Sequence, residues 1–279
     1  MSEEQLVYKK KKKKFKIFPI VNAIFFILVS LLILFPMWKV IVDSFDAHSA
    51  TSFRWWPNAF SVGGYNAILS RSALYSPFVI SVVTTLVGTF MGLLLATLGG
   101  YVLIQWDMPG RTFFANFLLF TMIFNGGMIP TYLVMKNLGL TNNLLGVVLL
   151  PAINIYNLVL MRNFFEGIPQ SLFEAATLDG CTPMATFIKV VLPLSKAALA
   201  SIGLMFAVAY WNDYTNYKLY ITDSTLYNFQ MKLRSIMMGS DLPQANGGAT
   251  ENTVKSAAII IAILPFMILY PFLQKYFVK

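Results

Sequence analysis

Long apolar segments follow one another along this chain, and none carries an ionisable residue near its centre. A charge at mid-bilayer costs a few kcal/mol, about 3 on insertion scales. A helix needs about 20 apolar residues to cross the hydrocarbon. Segments of that order recur six times, at about 17–42, 77–104, 112–135, 144–161, 192–210 and 256–274. The chain is 57% hydrophobic and 12% charged, whereas a soluble domain is about 25% charged. A soluble fold could not hide that much apolar surface. The expected fold is therefore all-α and integral to the membrane, with six transmembrane helices in one domain over 17–279 behind a basic stretch, 1–16.

That stretch holds six consecutive lysines, Lys9 to Lys14, with Lys16 just beyond. Such a run can bind nucleic acid. Here it directly precedes an apolar span, so the lipid bilayer is the better partner and no nucleic acid is expected. Each lysine near an anionic leaflet is worth about 1 kcal/mol, and lysines beside the first helix hold that end in the cytoplasm. Six spans then put both termini inside, with "QWDMPGR" and 162–190. They put 43–76, 136–143 and 211–255 outside. The first span is too long for a signal-peptide core, and "LFPMWKVIVDSF" offers no small-residue cleavage site.

Several function classes lack their residues. The single cysteine, Cys181, and single histidine, His48, form no metal-ligand cluster. No G-x-x-x-x-G-K-[ST] loop is present to bind ATP. A membrane enzyme would need a catalytic cluster, and none is visible. A proton- or ion-coupled carrier often uses an intramembrane acid, and none is found at a span centre. Uphill transport would then draw its energy from another subunit gripping a cytoplasmic surface.

Uncharged polar residues do reach membrane depth: Asn116, Asn125, Asn154 and Asn157. Amides and small-residue clusters such as "GTFMG" (88–92) and "TLGG" (97–100) suit helix packing. Asn125, Tyr132, Asn154 and Asn157 are also candidates for a hydrophilic path. "FNGGMIP" (124–130) suggests bent backbone, which is tolerated where it lines a cavity or is buried in protein.

The most informative stretch is "PQSLFEAATLDGCTPMATFIKVVLP" (169–193). Pro169 suits a helix start, and Ser171 with Glu174 has capping-box spacing. Gly180 stands where a left-handed glycine ends a helix. Thr182 and Pro183 suit the N-cap and first position of a second helix. The expectation is a pair of short helices around a sharp turn, thin at Ala175 and Ala176, with Leu172 and Phe173 as apolar anchors and Pro193 opening the fifth span.

The spacing E-A-A, then glycine four residues after the second alanine, then I and L-P, resembles the EAA loop of ABC importer permeases. "FNGGMIPTYLVMKNLGLTNN", "LMRNFFEGIPQSLFEAATLDG", "IKVVLPLSKAALASIGLMFAVAYWNDY" and "LRSIM" are similar to the MalG-type carbohydrate branch. It looks closest to the branch handling oligosaccharides in Gram-positive bacteria. The resemblance runs over roughly 15 to 277. Relatives often continue into a short glycine-rich tail, whereas this chain stops at "YFVK".

The resemblance implies a non-catalytic, multi-pass subunit of the bacterial cytoplasmic membrane with its N-terminus inside. Its partners would be a second, MalF-like permease, two ATP-binding subunits and an extracellular sugar-binding protein. ATP and magnesium would sit on the ATPase, with no cofactor on this chain. Leu172, Phe173, Glu174, Ala175, Ala176, Asp179, Gly180 and Pro193 would carry the ATPase-coupling surface between helices 4 and 5. Trp211, Asn212, Asp213 and Tyr214, at the start of the 211–255 loop, would face substrate or the binding protein. The alternatives are an ABC permease for a non-sugar solute and a self-sufficient secondary carrier.

Overall fold

A computed structural model describes residues 17–49, 53–70, 72–105, 107–240 and 249–277. The lysine run and its bearing on the N-terminus lie outside the described residues. The regular structure among the described residues is helical, joined by turns and loops, with one isolated bridge, Asp46 to Phe60. Three helices are long and apolar enough to cross a membrane alone, within α1 (Ile17–Ser44), α3 (Ser72–Ile104) and the last helix. Three bent pairs pass the same test together.

The pairs explain why the expected spans differ from the observed helices. The third is α4 (Arg111–Ile123) and α5 (Met128–Asn137), bent by 114°. At the break Gly127 N–H donates to Asn125 Oδ1 at 2.9 Å, an Asx turn competing with the helix ladder. The fourth is α6 (Leu144–Ala152) and α7 (Ile155–Glu166), bent by 42°. Asn154 caps α7 by accepting from Asn157 N–H at 3.0 Å.

The fifth departs most from expectation. Pro193 does not open a straight helix. It lies inside α9 (Pro183–Leu194), which meets α10 (Lys196–Trp211) at 81°. Proline has no N–H for the Lys189 carbonyl. Residues Phe187–Val191 widen into a π turn, with Leu192 N–H reaching Phe187 O. The chain then bends at Ser195, whose hydroxyl donates to Val191 O at 2.7 Å. Short helices α11 (Thr215–Tyr220) and α12 (Phe229–Met237) precede the long α13 (Glu251–Phe277). A short α2 (Gly63–Leu69) packs beside the start of α13.

The centre of the packing is α3, which lies against α6, α7 and α10. Its glycines make the approach possible. A Cβ on Gly92 would stand 2.6 Å from the Phe206 ring, and one on Gly88 would collide with Tyr210. The Tyr210 hydroxyl in turn donates to Val148 O at 2.6 Å. The small-residue clusters therefore act here as packing surface.

Candidate functional site

The helix pair expected at 169–193 is present, with one correction at its start. Helix α8 (Gln170–Leu178) follows Pro169 as N-cap and has no side-chain cap. Ser171 already lies inside the helix, and Leu172 N–H bonds to Pro169 O at 3.1 Å. The capping box does not form, because the helix starts two residues before Leu172. Glu174 is exposed, and its carboxylate makes no hydrogen bond or ion pair among the described residues.

The far end of α8 follows its sequence closely. Cys181 N–H reaches Ala176 O at 2.9 Å and Gly180 N–H reaches Thr177 O at 3.0 Å. That pair of bonds is a Schellman motif, with Gly180 at φ +75°. Thr182 then caps α9 by accepting from Ala185 N–H at 3.3 Å. Two helices thus meet in an elbow whose backbone groups are satisfied locally.

The elbow is seated on the core by one side only. Ala176 is buried, and Phe173 packs against the cluster that holds Tyr101, Phe165, Phe187 and Val191. The Tyr101 hydroxyl donates to Pro183 O at 2.8 Å, tying the elbow to α3. On the other side Leu172, Glu174, Ala175, Asp179 and Gly180 are exposed, as is Pro193. Sequence reasoning passed over three more exposed apolar residues there: Leu178 (89% exposed), Met184 and Ile188. Leu178 and Met184 flank the Gly180 turn, and that adjacency was the signal available.

A second unread feature stands beside the elbow. Glu166 Oε1, at the end of α7, accepts from Arg162 at 2.8 Å and from Arg111 at 3.2 Å. Arg111 Nε also donates to Leu103 O at 2.7 Å. The network links the start of α4 and the ends of α3 and α7. It edges a cavity of about 530 Å³ lined by Ile104, Gln105, Pro169, Gln170 and Phe173.

The remaining candidates lie elsewhere. Trp211, Asn212, Asp213 and Tyr214 stand at the far end of α10, a helix of 16 residues, or about 24 Å in length. Trp211 is buried, its Nε1 donating to Ala262 O at 3.1 Å among Phe78, Phe229 and Phe266. Its ring faces the core and does not form an open platform. Asp213 accepts from Asn216 N–H at 3.0 Å and Nδ2 at 2.9 Å. Burial pushes its carboxyl up, partly offset by those bonds. Tyr214 lies under Arg234, 4.7 Å from ring centroid to guanidinium carbon. Asn212 is exposed. Tyr132 stacks on Tyr220 at 6.0 Å. Asn157 is buried. Asn125 stands at the α4–α5 break and Asn154 and Asn157 at the start of α7, on elements other than the one that carries the Trp211 group. Among the described residues no three His, Cys, Asp or Glu side chains converge as a metal site.

Residues 15–279 match the family described as "Binding-protein-dependent transport system inner membrane component". The polygalacturonan/rhamnogalacturonan transport system permease protein YtcP of Bacillus subtilis is 39% identical over 265 residues, covering 91% of this chain and 93% of that protein. Protein LplC of the same organism is 37% identical, covering 95% and 92%. Among solved structures, a bacterial ABC transporter involved in import of the acidic polysaccharide alginate superposes with a TM-score of 0.87. It is 30% identical, over 95% of this chain and 98% of that one.

Proposed function

Because this chain belongs to the binding-protein-dependent transport system inner membrane components, we propose that it is the permease subunit of an ABC importer for an oligosaccharide, coupled to its ATPase through the α8–α9 elbow. The relatives named for polygalacturonan, rhamnogalacturonan and alginate support the substrate class. The observation that carries the coupling assignment is the elbow itself. Phe173 and Ala176 hold one face to the core, while Glu174, Asp179, Leu178 and Met184 stand exposed on the rest.

The mechanism follows from that arrangement. An ATPase closing on nucleotide would grip the exposed face, with Leu178 and Met184 supplying apolar contact and Glu174 or Asp179 pairing with basic groups. The Schellman turn and the Thr182 cap make the elbow stiff. The Tyr101–Pro183 bond passes its displacement to α3 and the π turn to α9 and α10. Motion at the elbow would then be felt at the Trp211–Tyr214 end, where the solute path opens in this reading. Six spans, both termini inside, a second permease, two ATPases and an extracellular binding protein complete the assembly. The Arg111–Glu166–Arg162 network holds the α3–α4 turn at fixed distance from the elbow.

The test uses the complete transporter in proteoliposomes. Glu174→Lys is expected to leave insertion intact while lowering sugar-dependent ATP hydrolysis and uptake together. Full uptake with Glu174→Lys and Gly180→Pro would remove the elbow from the coupling path. Uptake by this chain alone, with no ATPase present, would replace the reading by a secondary carrier.

A further inference from the structure

Beyond Ser44 the chain does not continue away from α1 but turns back along it. The Phe53 ring stacks on Phe35 with centroids 4.5 Å apart, and Trp55 stands edge-on to both. Trp56 meets Trp38 edge-on at 5.9 Å, and Trp38 Nε1 donates to Trp55 O at 3.1 Å. Phe35 and Trp38 precede Ser44 by nine and six residues. At 1.5 Å per residue, the loop has returned about 14 and 9 Å down the helix.

The base of the loop is closed by Asp46, which is fully buried. Its carboxylate accepts from the backbone N–H groups of His48 at 3.0 Å, Asn58 at 3.1 Å and Ala59 at 3.3 Å. Arg54, the one charged residue between Phe53 and Phe60, turns inward to Asp46 at 3.5 Å. The inward turn leaves aromatic rings on the outer side of the tip. Trp55 is 63% and Trp56 72% exposed.

The depth of this tip follows from α1. No charged residue occurs from Ile17 to Trp38, and Lys39, paired with Asp43 at 2.8 Å, is the first. About 20 residues of helix cross the hydrocarbon, a length that ends near residue 37 when counted from Ile17. The level of Phe35 to Trp38, where the loop tip lies, is therefore the boundary between acyl chains and headgroups. Tryptophan is the side chain most at home there, with an apolar body and a polar edge. The tip is also continuous with the apolar α1 surface, which is exposed along its whole length up to this point.

We propose that the Phe53–Trp56 tip is a lipid anchor, its Trp55 and Trp56 rings seated in the membrane–water interface at the Ser44 end of α1. The anchor rests on the membrane-spanning reading above. It sets the depth of α1, a helix that packs chiefly on α13.

The test is tryptophan quenching in the complete transporter, reconstituted with lipids brominated either near the headgroup or near the chain end. Shallow bromines are expected to quench more than deep ones. Taken as the difference from the parent transporter, in which every other tryptophan is unchanged, Trp55→Phe with Trp56→Phe should cut the shallow component arising at the Phe35–Trp38 level about two- to threefold, leaving Trp38 there. Quenching of these two indoles by iodide but not by bromolipid would place the tip in water and overturn the anchor. Protection from both quenchers would show a protein partner covering it and overturn the anchor equally. Uptake by the same vesicles reports on the permease reading separately. Absence of bromolipid quenching from Trp38 as well would sink the membrane reading itself.

Discussion

The two ends of the α9–α10 pair are built in opposite ways. At the Pro183 end the α8–α9 elbow is held mainly by short-range bonds: Gly180 to Thr177, Cys181 to Ala176, and Ala185 to Thr182. At the Trp211 end the bonds are long-range: Trp211 to Ala262, Tyr217 Oη to Thr84 Oγ1 at 3.0 Å, Phe229 N–H to Ser81 Oγ at 2.9 Å. The first end keeps its shape while leaving one face exposed. The second end keeps its shape only because α3, α12 and α13 are all in place. A rigid elbow with an open face suits the receipt of force. An end stitched across three helices moves only when those helices move.

That contrast is broken most severely at the stitched end. Trp211→Ala leaves a large void among three phenylalanines, and such truncations cost about 3–5 kcal/mol. Thermal unfolding of the purified complex should fall by many degrees, with yield falling alongside. An unchanged melting temperature would show that this end is not held by tertiary packing.

Gly180→Val acts at the other end and should separate stability from function. At φ +75° a branched residue costs about 1–2 kcal/mol. That strain is confined to the elbow. Uptake should drop at least tenfold while the melting temperature moves only slightly. Equal losses in both measurements would deny that the elbow is a locally coded unit.

Thr182→Ala removes the α9 cap, worth about 1 kcal/mol. The variant is expected to lower uptake a few-fold and to raise hydrogen exchange at Ala185, leaving α12 unaffected. Matching exchange at both ends of the α9–α10 pair would contradict the comparison.

The smallest effect concerns the 46–60 loop. Burial alone would push the Asp46 carboxyl up. The N–H groups of Asn58, His48 and Ala59, with Arg54, outweigh that and hold it below the ordinary carboxylate range. A depressed folded value means the stabilisation is complete above the unfolded value of about 3.9. It is lost as pH falls through the lower folded value. Proteolysis of the loop should therefore be flat from pH 7 to about 5 and rise only below about 4. Asp46→Asn should remove the pH dependence.

Much of the elbow could be read from residue order. Gly180, Thr182 and Pro183 each act on backbone groups within a few positions, so spacing alone identifies their roles. The failure at Ser171 is instructive. S-x-x-E spacing is compatible with a cap, but the helix behind Pro169 starts earlier, and Glu174 is left facing outward with no bond. Pro193 misled for a related reason. A proline near an apolar run looks like a span opening, whereas its missing N–H instead produced a π turn and a bend two residues on.

The apolar segments, the absence of mid-span charge and the glycine turn were determined by sequence, because hydropathy and local hydrogen bonding depend on residues close in the chain. Which way Trp211 faces, that Arg111 and Arg162 share Glu166, and that Phe53 returns to stack on Phe35 were decided only by the tertiary structure. Trp211 to Ala262, Arg111 to Glu166 and Phe53 to Phe35 join residues far apart in sequence, on elements whose mutual orientation comes from packing, whereas Arg162 to Glu166 is an i,i+4 pair within α7 that only the arrival of Arg111 turns into a network. Trp211 and Trp55 are the same residue type, each just beyond or at the end of a long apolar helix. One is buried against Ala262 and the other stands exposed, and only the neighbours that packing supplied separate the two.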